Sequence, residues 1–155
     1  MARRPRAYKK YKQGVFKPIH PKKYTGTTPI LYRSSYELKF MRWADSNSNV
    51  ISWGSESVIV PYISPKDGKL HRYFVDNNVT IKNKNGNLKK YLIEIKPYKQ
   101  TQPPKTKNRK NKKSLLYEQY TFAVNQAKWE AATAWAKKHD YEFIILTEKD
   151  LNKNK

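Results

Sequence analysis

Two acidic residues and a lysine in the middle of the chain have the types and spacing of a site for phosphodiester chemistry. Residues 89–96 are KKYLIEIK, and this alternation of polar and apolar residues is typical of a β-strand. Side chains two residues apart in a strand point to the same face, so Glu94 and Lys96 project together with Leu92. Asp76 lies in the preceding predicted strand, and antiparallel pairing can bring it opposite Glu94. The three polar groups are therefore expected to converge.

Converging carboxylates favour a bound cation. Two carboxylates at close range repel each other unless a cation lies between them, and a hard divalent ion with oxygen ligands meets that need. Mg²⁺ is the natural candidate, with Mn²⁺ as a substitute. Such an ion binds a phosphodiester oxygen, lowers the pKa of a bound water and neutralises charge on the phosphate. Lys96 would stabilise the same charge or hold the attacking water, and Glu37 would add a carboxylate if its helix packs across the sheet.

The same residues have a plainer interpretation. In a lysine-rich sequence, a Glu-x-Lys on a strand is commonly a solvent-exposed cross-strand ion pair, and Asp76 could be only a turn acid. Acids are scarce in this chain, however, and the motif is followed by Pro97 and a basic segment. A phosphate backbone would lie next to that segment, which favours the catalytic interpretation.

The surrounding pattern predicts the elements that position these residues. Ser34 or Ser35 can cap a helix that runs to Asp45, with Glu37 in its first turn. The turns at 64–69 and 82–87 separate β-rich segments. Strands are predicted over residues 50–53, 57–62, 70–82 and 89–96, and the last three are expected to form an antiparallel meander.

The C-terminal part of the chain predicts a long helix and one more strand. Residues 114–139 lack Gly and Pro and are rich in Ala. The apolar run at 141–147 predicts a strand buried inside the sheet. The predicted apolar face of the helix comprises Leu116, Tyr120, Ala123, Ala127, Ala131, Ala134 and Trp135.

The charge of the chain is concentrated in two segments. The formal net charge is +21 over 155 residues, and residues 1–29 hold nine Lys or Arg and no acid, as residues 99–113 hold seven. We therefore predict a basic N-terminal arm at 1–29 and one domain at 30–155 with a basic loop at 99–113. Both segments are expected to be mobile when no partner is bound, and their expected partner is a phosphate backbone; a solubilising tail is the alternative. The candidate DNA-binding residues are Arg3, Arg4, Arg6, Lys9, Lys10, Lys12, Lys105, Lys107, Arg109 and Lys110.

Composition excludes several classes of protein and of site. The chain has no cysteine, so it carries neither disulfides nor thiolate metal sites. It shows no signal peptide and no apolar run long enough for a membrane span, so we expect a soluble intracellular protein without a membrane partner. His20 and His139 lack metal-binding spacing, and His71 is better explained as a structural residue than as a proton-transfer group. Tyr24 in the arm could stack on bases or dock on the domain.

Four stretches of the sequence resemble one nuclease family. They are YRSSYELKFMRW, PYISPKDGKLHRYFVD, YLIEIKP and FIILTEKDL. The first three are similar to the phage head completion nucleases of the PD-(D/E)XK superfamily, close to the TnsA-type transposon endonucleases. The last, together with the helix before it, resembles the end of a TnsA-type nuclease domain. The resemblance implies an α/β, restriction-endonuclease-like core, in which a mixed central sheet with an antiparallel meander is flanked by helices. It also implies a metal-dependent DNA endonuclease.

Carried over by position, the resemblance implies roles for single residues. Asp76 and Glu94 would be the metal ligands, Lys96 the catalytic lysine and Glu37 the helix glutamate that assists them. The chain departs from the family pattern where Val75 replaces the proline of the motif and where asparagines follow at positions 77 and 78. Weaker similarity concerns two auxiliary polar residues, Gln100 and Gln126.

These observations favour one function and leave an alternative open. The favoured function is a Mg²⁺-dependent endonuclease that acts on double-stranded DNA with little base specificity. The resemblance would place it in phage head completion or DNA packaging, in the host cytoplasm or the virion, with portal or neck proteins as partners. The alternative is a non-catalytic DNA-binding structural protein of the virion. An RNA-binding protein of ribosomal type would explain the charge but not the converging acids.

Overall fold

A computed structural model describes residues 13–107 and 111–152 of the chain. Eight strands, three α-helices and two short 3₁₀ helices, at Pro21–Lys23 and Tyr98–Thr101, make up the described part. The strands are β1 (Gly14–Phe16), β2 (Ile30–Tyr32), β3 (Val50–Ser55), β4 (Ile59–Ile63), β5 (Leu70–Phe74), β6 (Asn77–Lys82), β7 (Leu88–Ile95) and β8 (Glu142–Leu146). The α-helices are α1 (Ser35–Ser46), α2 (Lys112–Lys138) and α3 (Glu148–Leu151).

The central sheet has four strands in the order β3-β6-β7-β8. β3 pairs with β6 and β6 with β7 in antiparallel orientation, whereas β8 runs parallel to β7. Two further pairs, β1 with β2 and β4 with β5, form separate two-stranded ribbons. The predicted α/β class with a mixed central sheet is therefore confirmed.

The predicted strand over 70–82 is two strands that belong to different sheets. β5 pairs with β4 in a ribbon, and β6 pairs with β3 and β7 in the central sheet. At the break, the Val75 N–H donates to the Val58 carbonyl, and the Asp76 carbonyl accepts from the Glu56 N–H. Backbone pairing thus changes partner at a point where every second residue stays buried, although Val75 packs in the core on the α2 side and Val79 in the core on the α1 side. The antiparallel set is completed by β3, and not by residues 57–62 as predicted.

Each face of the central sheet covers its own apolar core. On one face, α1 packs Phe40, Met41 and Ala44 against a core that includes Ile93 and Ile95 of β7. On the other face, α2 and the β4–β5 ribbon pack against Leu92. Consecutive β7 side chains alternate between the two cores, as predicted, and Glu94 points with Leu92 toward the α2 side.

α2 buries its C-terminal half. Trp129, Ala132 and Ala136 are buried in the core on the α2 side. Leu116, Tyr120 and Ala134 of the predicted apolar face are exposed, and none of the three buried residues was predicted on that face. In an Ala-rich helix more than one face fits helical spacing, and the spacing does not show where along the helix the neighbouring sheet begins.

β8 lies at an edge of the four-stranded sheet, so the prediction that it runs inside the sheet is wrong. Its residues are apolar because both of its faces are covered. Phe143 and Ile145 pack toward α2, while Ile144 and Leu146 pack toward α1. A strand sandwiched between two helical layers has the same composition as a central strand.

Part of the predicted basic arm is packed on the domain. β1 pairs with β2, and the backbone N–H groups of Ile19 and His20 donate to the buried Asp45 carboxylate at 2.8 and 2.9 Å. The Tyr24 ring packs edge-on against buried Trp53 at 4.8 Å between centroids, so docking explains this tyrosine. The expectation of a mobile segment up to residue 29 is therefore wrong for residues 14–24, because apolar and hydrogen-bonding groups hold them. No helix in the described ranges is long and apolar enough to cross a membrane.

Candidate active site

Asp76, Glu94 and Lys96 come together at the end of β7. The antiparallel register of β6 and β7, extended by one residue, places Asp76 opposite Glu94. Asp76 Oδ2 accepts a hydrogen bond from the Ile95 N–H at 2.8 Å, which ties the aspartate to the edge of β7. Lys96 Nζ lies 3.6 Å from Glu94 Oε1. The structure therefore brings together the three groups that the sequence predicts to converge.

Glu94 is buried and Asp76 is half-buried, and each carboxylate lies close to the charge of the other. Only 4% of Glu94 is exposed. Burial raises the pKa of Asp76 well above its ordinary value, and the Glu94 charge raises it further, while the Ile95 N–H and the Lys96 charge act in the opposite direction. Without a cation, Asp76 is therefore driven toward its protonated form.

This donor set fits a hard divalent ion. Both side chains offer carboxylate oxygens, which are the ligands that Mg²⁺ prefers, and a cation would relieve the repulsion between them. Within the described ranges, no group of three His, Cys, Asp or Glu side chains could hold a metal ion. Mg²⁺ sites with one or two protein carboxylates take their remaining ligands from water and substrate phosphate. The residues therefore fit a metal site that is completed by water and substrate phosphate, and not one in which the protein supplies every ligand.

Glu37 stands at the N-terminus of α1, on the margin of this site. Its N–H donates to the Ser34 side chain at 3.1 Å in an N-cap, and its Oε2 accepts from the Arg33 N–H at 3.0 Å. Burial raises the pKa of Glu37, although the Arg33 groups oppose the shift. Its charge in turn raises the pKa of Asp76. Glu37 is thus held by the first turn of its own helix and acts on Asp76 through its charge.

Tyr73 is a site residue that the sequence analysis did not identify. Its hydroxyl donates a short hydrogen bond to Glu94 Oε2. Burial raises the pKa of Tyr73, and the Glu94 charge and hydrogen bond raise it further, so the phenol remains a proton donor. β5 has the sequence LHRYF and shows no polar/apolar alternation, so its pattern did not single out Tyr73, which is the one buried residue of the strand. The partner could not be predicted, since it lies in another sheet.

Lys128 of α2 is a second residue near the carboxylates that was not predicted from the sequence. Its ammonium lies over the rings of Tyr73 and Tyr62, at 5.6 and 5.8 Å from their centroids. Burial lowers the pKa of Lys128, as does the Lys96 charge, whereas Glu94 and Asp76 raise it. One feature could have drawn attention to it: Lys128 is a charged residue in the Ala-rich half of α2 that packs on the sheet.

Arg33 and Glu56 form an ion pair beside the site. The Arg33 guanidinium bonds the Glu56 carboxylate, and both side chains are largely exposed. Glu56 has a φ of +52°, and its N–H donates to the Asp76 carbonyl at 3.1 Å. A left-handed residue thus lies directly against the backbone of a predicted metal ligand.

The basic residues are only partly within the described structure. Lys105 and Lys107 are exposed in the loop after β7. Eight further candidates lie outside the described residues, namely Arg3, Arg4, Arg6, Lys9, Lys10, Lys12, Arg109 and Lys110.

The remaining polar candidates make no hydrogen bond or ion pair with Asp76 or Glu94 within the described residues. Gln100 is exposed in the 3₁₀ helix after β7. Gln126 lines a groove of about 580 Å³ together with Thr101 and Trp129. His71 bonds the Asp67 carboxylate at 2.8 Å on the β4–β5 ribbon, in agreement with a structural role.

Of the three positions that depart from the family motif, Val75 and Asn77 are buried and Asn78 is half-buried. Val75 packs in the core on the α2 side. Asn77 is 1% exposed, and neither polar atom of its side chain has a hydrogen-bond partner in the described part of the chain. The strand thus tolerates an amide where an apolar residue would pack without that cost.

Comparison with known proteins identifies the class. Residues 47–148 match the family model for the TnsA-like endonuclease N-terminal domain. The chain belongs to this family of PD-(D/E)XK nucleases, and its mixed sheet agrees with the predicted restriction-endonuclease-like fold. Among individual proteins, the head completion nuclease of Enterobacteria phage T4 is 41% identical over 142 residues, which cover 89% of this chain and 92% of the phage protein. The matched family region contains Asp76, Glu94 and Lys96, whereas Glu37 precedes it.

Proposed function

We propose that this protein is a metal-dependent endonuclease that hydrolyses phosphodiester bonds of double-stranded DNA, with Mg²⁺ as the ion and Mn²⁺ as a substitute. The observation that carries the proposal is that half-buried Asp76 and buried Glu94 lie opposite each other at the end of β7, with Lys96 beside them. Membership of an endonuclease family supports the reaction class.

Asp76 and Glu94 would hold the divalent ion, which supplies an acidic bound water and neutralises charge on the phosphate oxygens. Tyr73 orients Glu94 by donating to Oε2 and leaves Oε1 toward Lys96. Lys96 would stabilise the negative charge that develops on the phosphate or position the attacking water. Glu37 is proposed to assist from the helix terminus.

The basic segments would hold the DNA. The chain carries a net charge of +21, which attracts a polyanion, and the exposed Lys105 and Lys107 follow the site directly in sequence. Contacts of this kind bind phosphates and carry no direct base information. Little sequence preference is therefore expected.

The biological setting follows the related phage protein. That protein is named a head completion nuclease, and its similarity to this chain extends over most of both sequences. We propose that this protein trims or finishes DNA during head completion or packaging. It would act in the host cytoplasm or the virion, with portal or neck proteins as partners.

Plasmid cleavage during a divalent-ion titration tests the proposed function. Mg²⁺ should convert supercoiled plasmid into nicked or linear DNA, and excess chelator should stop the reaction. Asp76→Asn, Glu94→Gln and Lys96→Met should each abolish cleavage while plasmid is still retarded in a gel. Asp67→Asn, which changes an exposed acid on the ribbon, is the matched control and should cleave normally.

Plasmid cleavage that persists in these variants would reject the proposal. Cleavage by Asp76→Asn at the rate of the control would show that a contaminant or another site is responsible. Retardation without any cleavage by the unchanged protein, in Mg²⁺ and in Mn²⁺, would instead support the non-catalytic DNA-binding structural protein.

A further inference from the structure

The Lys128 ammonium lies next to the acidic pair without bonding to it. The ammonium lies over the rings of Tyr73 and Tyr62. No ion pair or hydrogen bond links Lys128 to any other residue of the described ranges, although Asp76 and Glu94 are near enough to act on its charge. Lys128 is half-buried, and within the described ranges its ammonium contacts only the faces of these two aromatic rings.

The nearby acids are already engaged by other groups. Tyr73 donates to one Glu94 oxygen, and Lys96 faces the other. The Ile95 N–H donates to Asp76 Oδ2. Three of the four carboxylate oxygens therefore have partners in the central sheet or the ribbon, and none of these partners lies on α2.

Removing an ammonium from water is costly unless an anion or a set of acceptors replaces the water. Aromatic faces return only part of that free energy. An anion that approaches the Asp76–Glu94 pair would complete the environment of Lys128, and a phosphate oxygen has the required charge and hydrogen-bonding capacity.

We propose that Lys128 is a second cation of the active site, which contacts a phosphate of the strand held over Asp76 and Glu94. This inference rests on the proposed function and extends it, because it adds a substrate contact from α2 to those from β7. Lys96 would act beside the carboxylates, whereas Lys128 would hold the same strand from the facing helix. The rings of Tyr62 and Tyr73 keep the ammonium in place.

Two measurements test the contact, using Lys128→Met, Lys128→Arg and the control Lys138→Met. Lys138 is exposed in the last turn of the same helix. The first measurement is the single-turnover rate of duplex cleavage in Mg²⁺. The second is the salt dependence of duplex binding with Asp76→Asn added to every variant to prevent cleavage. The melting temperature of each variant serves as the measure of folding.

Lys128→Met should slow cleavage about 10- to 100-fold, the range expected for one charge-assisted hydrogen bond. It should also reduce the log–log salt slope by about 0.9, the value for one lost phosphate contact on duplex DNA. Lys128→Arg should restore most of the rate and slope, and Lys138→Met should leave the cleavage rate unchanged. A merely structural lysine would move the melting temperature without changing the salt slope.

The two proposals fail in different ways. Lys128→Met that melts normally and retains both rate and salt slope would overturn the phosphate contact while leaving the endonuclease proposal intact. If the unchanged protein does not cleave in Mg²⁺ or Mn²⁺, the proposed function fails. The binding measurement then still decides the contact, because a normal slope in Lys128→Met would reject it and a reduced one would support it.

Discussion

The Tyr73 hydroxyl donates a hydrogen bond to Glu94, although the two residues lie in different sheets. Tyr73 belongs to the β4–β5 ribbon and Glu94 to an inner strand of the central sheet. The ribbon therefore does more than cover the core on the α2 side. It determines the direction of a carboxylate that we propose as a metal ligand.

Tyr73→Phe is expected to slow metal-dependent cleavage about tenfold and to lower the free energy of unfolding by about 1–3 kcal/mol, because a buried carboxylate loses a donor. Cleavage rates as a function of Mg²⁺ concentration and urea unfolding check both effects. Tyr62→Phe, a neighbour that has no hydrogen bond to Glu94, is the control. Equal behaviour of the two variants would show that the hydroxyl does not position the carboxylate.

Asp76 makes stability depend on pH in a defined direction. Its pKa is raised in the folded protein above the ordinary value of 3.8, so the folded state binds more protons than the unfolded state above that pH. The free energy of unfolding should therefore fall as the pH rises from about 4 through the raised pKa. Thermal unfolding without metal, measured from pH 4 to 8, checks this trend, to which Glu37 contributes in the same direction.

Asp76→Asn should melt at a higher temperature than the unchanged protein at neutral pH without metal, and its pH trend should be weaker. Mg²⁺ should stabilise the unchanged protein at that pH, since a cation favours the ionised pair, and should leave Asp76→Asn unaffected. Asp67→Asn again serves as the control. Equal stabilisation of all three proteins by Mg²⁺ would place the ion elsewhere.

The backbone at Glu56 can be tested separately from its ion pair. Glu56→Gly and Glu56→Ala both remove the carboxylate that binds Arg33, but only glycine adopts a φ of +52° without strain. We expect the glycine variant to be more stable than the alanine variant by about 1 kcal/mol. Chemical denaturation of the two variants measures the difference in their free energies of unfolding. Equal values would mean that the backbone at residue 56 relaxes to accommodate alanine.

Two deletions of the basic N-terminus should distinguish its effect on DNA binding from its effect on stability. Deletion of residues 1–12, which contain six Lys or Arg, should reduce the log–log salt slope of DNA binding by up to about 5 while cleavage of short duplexes at low salt persists. Deletion of residues 1–23 should in addition lower the melting temperature, because the donors to buried Asp45 are lost. An unchanged slope after the shorter deletion would show that residues 1–12 do not contact DNA.

Local patterns were sufficient to predict the site's central geometry. The alternation around Glu94 determines which side chains share a face, and the pairing of β6 with β7 needs only a tight turn between neighbouring strands. The cap at Ser34 is equally local, since donor and acceptor are three residues apart. These features depend on interactions close in sequence, so the sequence contains their signal.

Long-range partners were beyond the same reasoning. Tyr73 and Lys128 reach the site through the packing of the ribbon and α2 on the sheet, which no spacing rule describes. The change of sheet at Asp76 was missed because every second residue is buried on both sides of it, although in different cores. The position of β8 was missed because an apolar strand covered on both faces does not reveal whether it has one neighbour or two.

The length of α2 has a consequence for the size of the substrate. Sixteen residues separate Lys112, next to the basic loop, from Lys128, which corresponds to about 24 Å along a straight helix at about 1.5 Å per residue. At about 3.4 Å per base pair, that span equals roughly seven base pairs of duplex. A duplex that lies along the helix would therefore need about seven base pairs to reach both Lys112 and Lys128.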